Sequence, residues 1–195
     1  MLYIGLTGGI GSGKSTVAHI LQVMGYPVYI SDTHASRLMN TCPEIKKELI
    51  ALFGTTIYTS EGILDKKYLA GIIFQDPAAL SQVNHIVHPR VLDDFYVWSK
   101  TQTSSYVFFE SAILFEARLN ENFDFIICVT APEAVKIQRV VERDKTTTEK
   151  VKERIRNQID DTEKCGQSDF ILYNDPAHLL LEQIDHLLKH LENRI

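Results

Sequence analysis

The chain has 195 residues, 45% of them apolar and 23% charged, so it holds enough hydrophobic material for one folded unit and lacks the composition of a disordered protein. Its 20 Lys and Arg against 25 Asp and Glu leave a net charge of −5, which gives no support to sequence-independent nucleic-acid binding, since that needs clustered basic residues to displace phosphate counterions. Any phosphate chemistry must rest on local positive charge.

The first residues, Met1-Leu2-Tyr3-Ile4-Gly5, carry no basic leader and do not read as a secretory signal. A β-rich run from Tyr3 to Thr7 is expected as the first strand. Directly after it, Gly8-Gly9-Ile10-Gly11-Ser12-Gly13-Lys14-Ser15 satisfies G-x-x-x-x-G-K-[ST] and opens a segment of helical spacing, which is the context the motif's mechanism needs. Glycines let the backbone wrap closely enough for successive N–H groups to face phosphate oxygens, and the helix N-terminus adds partial positive charge. Lys14 would reach the β and γ phosphates, and the Ser15 hydroxyl would help hold Mg²⁺ together with phosphate oxygens and water. A dinucleotide-binding turn is excluded because Lys14 stands where that motif requires glycine.

The second strand is expected at Val28 to Ile30, followed by Asp32. Phosphoryl transfer to an alcohol needs positioning, charge neutralisation and a carboxylate that accepts the hydroxyl proton, and Asp32 can be that carboxylate. Asp is also a favoured helix cap, the structural alternative at this position. About 75 residues then separate the second and third strands, far more than a crossover requires. Helical patterning runs through Pro43 to Phe53, Lys66 to Phe74 and Pro77 to Val87, then Val91 to Lys100, so this stretch is expected to be a helical cap over the ligand edge of the sheet.

Strands are expected next at Tyr106 to Glu110 and Phe125 to Thr130. On the following helix Arg139 and Arg143 lie four apart on one face, suited to planar, multidentate contacts with phosphate. Pairing with Glu142 or Asp144 is the alternative for Arg143. The charged run from Arg143 to Ser168, with Arg154 and Arg156, is expected as a mobile lid. A last strand at Phe170 to Tyr173 precedes a helix whose apolar stripe is Leu179, Leu180, Ile184, Leu187, Leu188 and Leu191. His186 and His190 on that helix lack a third metal ligand, and Trp98 reads as a packing residue. Cys42, Cys128 and Cys165 have no CxxC spacing and are expected as reduced thiols in the cytoplasm, and no apolar run approaches the ~20 residues of a membrane helix.

Five strands of nearly continuous apolar content alternating with helices predict an α/β fold: a P-loop NTPase-type parallel sheet flanked by helices, with ligands beyond the strands' C-terminal ends. A switch GTPase would need Asn-Lys-x-Asp and a strand-end Asp-x-x-Gly, and neither is found. The expected division is one kinase domain with a core of 1–34, 105–142 and 169–195, a cap of about 35–104 and a lid of about 143–168.

Taken together these residues resemble the dephospho-CoA kinase family. The likeness is carried by Leu6-Thr7-Gly8-Gly9-Ile10-Gly11-Ser12-Gly13-Lys14-Ser15-Thr16, by Asp32 with Arg37, and by His88-Pro89-Arg90-Val91. It continues through Ile113-Leu114-Phe115-Glu116, through Arg139 to Arg143, through Arg154-Ile155-Arg156-Asn157-Gln158 and through Asp169-Phe170-Ile171-Leu172-Tyr173-Asn174. It implies transfer of the ATP γ-phosphate to the ribose 3′-hydroxyl of dephospho-CoA, giving CoA and ADP. By that resemblance the ATP site comprises Gly8, Gly9, Gly11, Ser12, Gly13, Lys14, Ser15, Thr16, Arg139, Arg143, Arg154 and Asn174, with Asn174 near the adenine. Asp32, Arg37, His88 and Leu114 would meet the acceptor, and Lys14, Asp32 and Arg139 would serve the chemistry. Two departures stand out: Thr33 and His34 follow Asp32 where the family often has a second acid, and Glu110-Ser111-Ala112-Ile113-Leu114 replaces Asp-x-Pro-Leu-Leu. Glu110 could still orient a water on Mg²⁺. A monomer is adequate for this function. The alternatives are another small-molecule or nucleoside monophosphate kinase, or a nucleotide-binding regulatory module.

Overall fold

The computed structural model describes residues 1–73 and 75–193. The expected helix end at Phe74 and the last two positions of the core segment 169–195 lie outside the described residues. The chain packs as two compact units, Met1–Tyr29 with the chain from Thr103 onward, and Ile30–Gln102.

In chain order, β1 (Leu2–Thr7) runs through the glycine loop into α1 (Lys14–Val23), and β2 (Val28–Ile30) follows. The second unit holds α2 (Ser31–Thr41), α3 (Pro43–Phe53), a 3-10 turn at Thr55–Ile57, α4 (Lys66–Ile73) and α5 (Pro77–Ser99). The first unit resumes with β3 (Tyr106–Glu110), β4 (Phe125–Thr130), α6 (Glu133–Asp144), α7 (Thr148–Arg156), α8 (Asp161–Gly166), β5 (Phe170–Tyr173) and α9 (Leu180–Glu192).

The five strands form one parallel sheet in the order β2-β3-β1-β4-β5. Every residue of β3 and five of the six in β4 are buried, the pattern of strands covered on both faces. β1 lies between β3 and β4, paired Leu2 with Tyr106 on one side and Ile4 with Phe125 on the other. The chain leaves β1 toward β2 and β3 and only later crosses to β4 and β5. The loop after β1 therefore sits at the topological switch point, where diverging crossovers leave a crevice.

Two local expectations are corrected. Pro89 does not separate two helices: α5 runs unbroken from Pro77 to Ser99. Its buried Val83, Ile86, Val87, Val91 and Phe95 form one face on both sides of the proline, and packing along that face outweighs the roughly 3 kcal/mol cost of an interior proline. The ring is exposed, and one residue on Arg90 Nη1 donates to the Ile86 carbonyl at 3.0 Å. In α9 the buried stripe is Ile184, Leu187, Leu188 and Leu191, while Leu179 is 68% exposed because it caps the helix rather than riding in it.

The second unit closes over Ile45, Leu49, Ile57, Leu69, Val83, Val87 and Phe95. Tyr58 Oη donates to Met39 O at 2.8 Å and Leu64 N to Asn40 Oδ1 at 2.8 Å, tying the segment after the 3-10 turn to α2. The rings of His186 and His190 pack on Phe170, with His190 also on Phe125, and Trp98 packs on Phe95. Among the described residues no helix is long and apolar enough to cross a membrane.

Candidate active site

The loop between β1 and α1 owes its shape to glycines. Gly13 caps α1 in the left-handed region at φ 94°, and a side chain there would collide with Asn174. Gly11 is also left-handed, at φ 80°, with the Lys136 backbone pressed against it. The Ser12 N–H donates back to Gly9 O at 3.1 Å, closing the turn. The first N–H groups of α1 have no intrahelical acceptors and point out of the helix start, so the loop presents donors to an anion.

Charged and polar groups grip this loop from β3, α6 and the end of β5. Lys14 Nζ lies 3.3 Å from the carboxylate of Glu110, which is almost fully buried at the last position of β3. Arg139 Nη1 lies 3.4 Å from both the Gly11 and Ser12 carbonyls, and its Nη2 is 3.5 Å from Asn174 Oδ1. Asn174 Nδ2 donates to Ser12 O at 2.9 Å. Lys14, Arg139 and Asn174, chosen from separate parts of the sequence, thus meet on one loop. Ser15 and Thr16 are exposed on the first turn of α1, while Gly8, Gly9 and Ser12 are buried.

Arg143 and Arg154 are placed differently. Arg143 Nε and Arg154 Nη1 each lie 2.7 Å from Asp144, which bridges α6 to α7. The two guanidinium groups, Arg143 first, hold the Asp144 carboxyl well below the usual carboxylate range. In this arrangement both arginines pair with that acid, the alternative the sequence left open for Arg143. Leu114 is wholly buried with Cδ2 packed onto Gly5, so its side chain has no surface for a ligand here. The expected acceptor contact at Leu114 is replaced by a core contact, because the turn after β3 folds back across β1.

In the second unit Asp32 sits exposed in the first turn of α2, and it is not the cap: α2 starts directly from β2, with Ile30 at the cap position. His88 lies inside α5. Burial holds its imidazole below the usual histidine value, opposed by the charge of Asp32. Asp32 and His88 are therefore within electrostatic reach of one another. Arg37 Nη2 forms an ion pair with Asp94 at 2.6 Å, and His34 Nδ1 lies 3.3 Å from the same carboxylate. Asp94 was not legible as a site residue, since its partners lie a helix apart and no local motif links them.

Sequence reasoning also passed over the groups behind the loop. Lys136, 5% exposed, pairs with Asp161 at 2.7 Å, and Thr130 Oγ1 donates to the same oxygen at 3.1 Å. Lys164 is fully buried, 2.7 Å from Glu116 and donating to Ala112 O at 2.9 Å. The signal available was only the acid pair Asp160-Asp161 at a helix start, a pattern that caps helices throughout proteins. For a metal ion the loop offers hard oxygen: the Ser15 hydroxyl and the Glu110 carboxylate. Among the described residues no cluster of three or more His, Cys, Asp or Glu side chains is placed to hold a cation. This donor set fits Mg²⁺ arriving with a polyphosphate, which keeps several waters and takes few protein ligands.

Comparison with known proteins gives a consistent result. The sequence profile of a family described as dephospho-CoA kinase matches residues 2–179. A dephospho-CoA kinase of Bacteroides fragilis strain YCH46 is 43% identical over 193 residues, covering 98% of this chain and 94% of the relative. One from Porphyromonas gingivalis is 39% identical over 191 residues, covering 97% and 94%. The crystal structure of TT1252 from Thermus thermophilus superposes with a TM-score of 0.84 at 32% identity, covering 100% of this chain and 97% of that one. Dephospho-CoA kinase from Campylobacter jejuni gives 0.69 at 24% identity, with 99% and 98% covered. Shikimate kinase from Acinetobacter baumannii, in complex with shikimate, gives 0.58 at 14% identity, with 100% and 96% covered. At these last two identities the likeness concerns the fold.

Proposed function

The chain belongs to the dephospho-CoA kinase family and transfers phosphate from ATP to dephospho-CoA, and we propose that its phosphate loop holds the nucleotide while Asp32 serves the acceptor hydroxyl. The observation that carries this division of labour is the convergence of Lys14, Arg139 and Asn174 on the loop of residues 8–13.

The loop amides and the start of α1 take the β-phosphate, and Lys14 exchanges Glu110 for phosphate oxygens as the nucleotide enters. Arg139 turns from two carbonyls, each at a long 3.4 Å, to the charge that spreads over the transferred group. Those contacts are weak enough to yield to a charge-assisted bond. Asn174 keeps Ser12 and the adenine side of the site in place. Arg143 and Arg154 supply further positive charge from α6 and α7 once phosphate competes with Asp144. Ser15 would hold Mg²⁺ with Glu110 orienting a water on it, and the ion would neutralise polyphosphate charge.

Asp32 follows the C-terminal end of β2 by two residues, and a carboxylate there accepts the proton as the ribose 3′-hydroxyl attacks the γ-phosphorus. His88, kept neutral by burial and near Asp32, donates or accepts a hydrogen bond with the acceptor rather than adding charge. Arg37 pairs with the acceptor's phosphates in exchange for Asp94. Residues of about 35–104 act as the acceptor cap and those of about 143–168 as a lid whose closure excludes water, so that the hydroxyl and not solvent receives the phosphoryl group. The products are CoA and ADP, formed in the cytoplasm, where the thiols of Cys42, Cys128 and Cys165 stay free.

A coupled assay with dephospho-CoA, AMP, CMP, shikimate and gluconate as acceptors tests the reading. Turnover of dephospho-CoA above all others is expected. Preference for any of the others would overturn it.

A further inference from the structure

Three successive residues of the phosphate loop are each met by a different side chain or backbone from the region between β4 and β5. Asp161 Oδ1 lies where a side chain on Gly9 would begin, only 2.5 Å from a Cβ built there. Gln158 Oε1 accepts the Ile10 N–H at 2.9 Å. The Lys136 carbonyl stands 2.5 Å from a Cβ built on Gly11.

The middle contact has a distinct consequence. Within the peptide unit that joins Gly9 to Ile10, the Gly9 carbonyl accepts the Ser12 N–H at 3.1 Å while the N–H is taken by Gln158. Both ends of one peptide dipole are thus anchored. Were the unit to rotate, the Gly9 carbonyl would swing and present its negative end to an anion in the loop, and the turn through Gly11 would lose its start. Asp161 lies beside Gly9, and Lys136 at 2.7 Å offsets its charge, so the carboxylate can pack against an anion-binding loop. Gln158 itself is held by its own N–H to Ile155 O at 3.0 Å, in the last turn of α7. The position of α7, with Arg154 and Arg156, is therefore transmitted to the loop through one side chain.

We propose that Gln158 is a positioning residue for phosphoryl transfer: its carboxamide oxygen fixes the Gly9–Ile10 peptide and makes the nucleotide-ready shape of the loop depend on the seating of α7. This rests on the reading that the loop holds ATP. It predicts that Gln158 acts on the nucleotide side of the reaction. Removing a neutral hydrogen bond of this kind changes an equilibrium about five- to tenfold.

Hydrogen exchange at the Ile10 amide and steady-state kinetics of the full-length enzyme test the proposal with Gln158→Met and Gln158→Glu. Methionine keeps the length of the side chain without the acceptor. It should speed exchange at Ile10 selectively and lower kcat/KM for ATP by about five- to tenfold, with KM for dephospho-CoA unchanged. Glutamate keeps an acceptor, so Ile10 should remain protected while KM for ATP rises, most at low salt. Unchanged Ile10 exchange in Gln158→Met, an equal loss on both substrates, or loss of Ile10 protection in Gln158→Glu would each overturn it. If Gln158→Met unfolds, Ile10 exchange in Gln158→Glu decides alone. The exchange arm needs no substrate, so failure of the acceptor assay and failure of this proposal are told apart.

Discussion

Lys14 and Asp32 carry separate halves of the proposed chemistry, and their surroundings say how each would fail. Lys14 rests 3.3 Å from Glu110 at the end of a buried strand, so its ammonium is preorganised before any nucleotide arrives. Lys14→Ala should lower kcat/KM for ATP by about 10²- to 10³-fold, the loss seen when a charge-stabilising donor is removed. A change below about tenfold would show that Arg139 supplies the stabilisation instead. Asp32→Asn keeps the shape but removes the proton acceptor. It should lower kcat by roughly 10²-fold or more while ATP binding is retained. Near-normal turnover in Asp32→Asn would make this residue a binding group. The loop was legible in the sequence because motif spacing is local. The pairing of Lys14 with Glu110 and of Arg154 with Asp144 was not, because each joins residues that only the packing of separate elements brings together, whereas Arg143 adjoins Asp144 in the chain and that pair stood as an alternative in the sequence.

At the scale of elements, α2 and α5 contain two histidines held neutral. Burial is the main cause for both: it lowers His34 against the opposing pull of Asp94 and lowers His88 against that of Asp32. The folded imidazoles therefore titrate below their unfolded value, and as pH falls the unfolded chain takes up protons first. Their contribution to stability is complete above about pH 6.5 and is lost as pH falls through the lower folded values. Melting temperature should drop between about pH 7.5 and about pH 5.5, and His88→Gln should flatten that dependence. A slope identical to that of the unchanged protein would mean that the α5 imidazole is solvated on folding. The same helix shows a limit of local reading. A proline signals a helix end, yet Pro89 lies on the exposed side of α5 while the buried face runs past it.

At the scale of the whole molecule, the buried pair Lys164–Glu116 fastens α8 to the turn after β3. Glu116 also accepts the Ile159 N–H at 3.1 Å, so one carboxylate serves two segments. Lys164→Met should cost about 3–5 kcal/mol in urea unfolding, since it leaves a carboxylate without its cation, and adding Glu116→Gln should recover part of the loss. A cost below about 1 kcal/mol would show that the carboxylate relaxes into water. The net charge of −5 acquires a structural meaning at this scale. Lys14 and Arg139 are gathered at one loop, so a chain that is acidic overall still meets a polyphosphate with positive charge. By itself the sequence determined the five strands, the phosphate loop with its helix, and the helical insertion, because backbone conformation, glycine placement and apolar periodicity are set by neighbouring residues. Only the tertiary structure decided that Leu114 is core, that α5 continues through Pro89, and that Gln158, Asp161 and Lys136 brace the loop. Those outcomes depend on burial and on hydrogen bonds between segments far apart in the chain, whose energies exist only once the sheet and helices have packed.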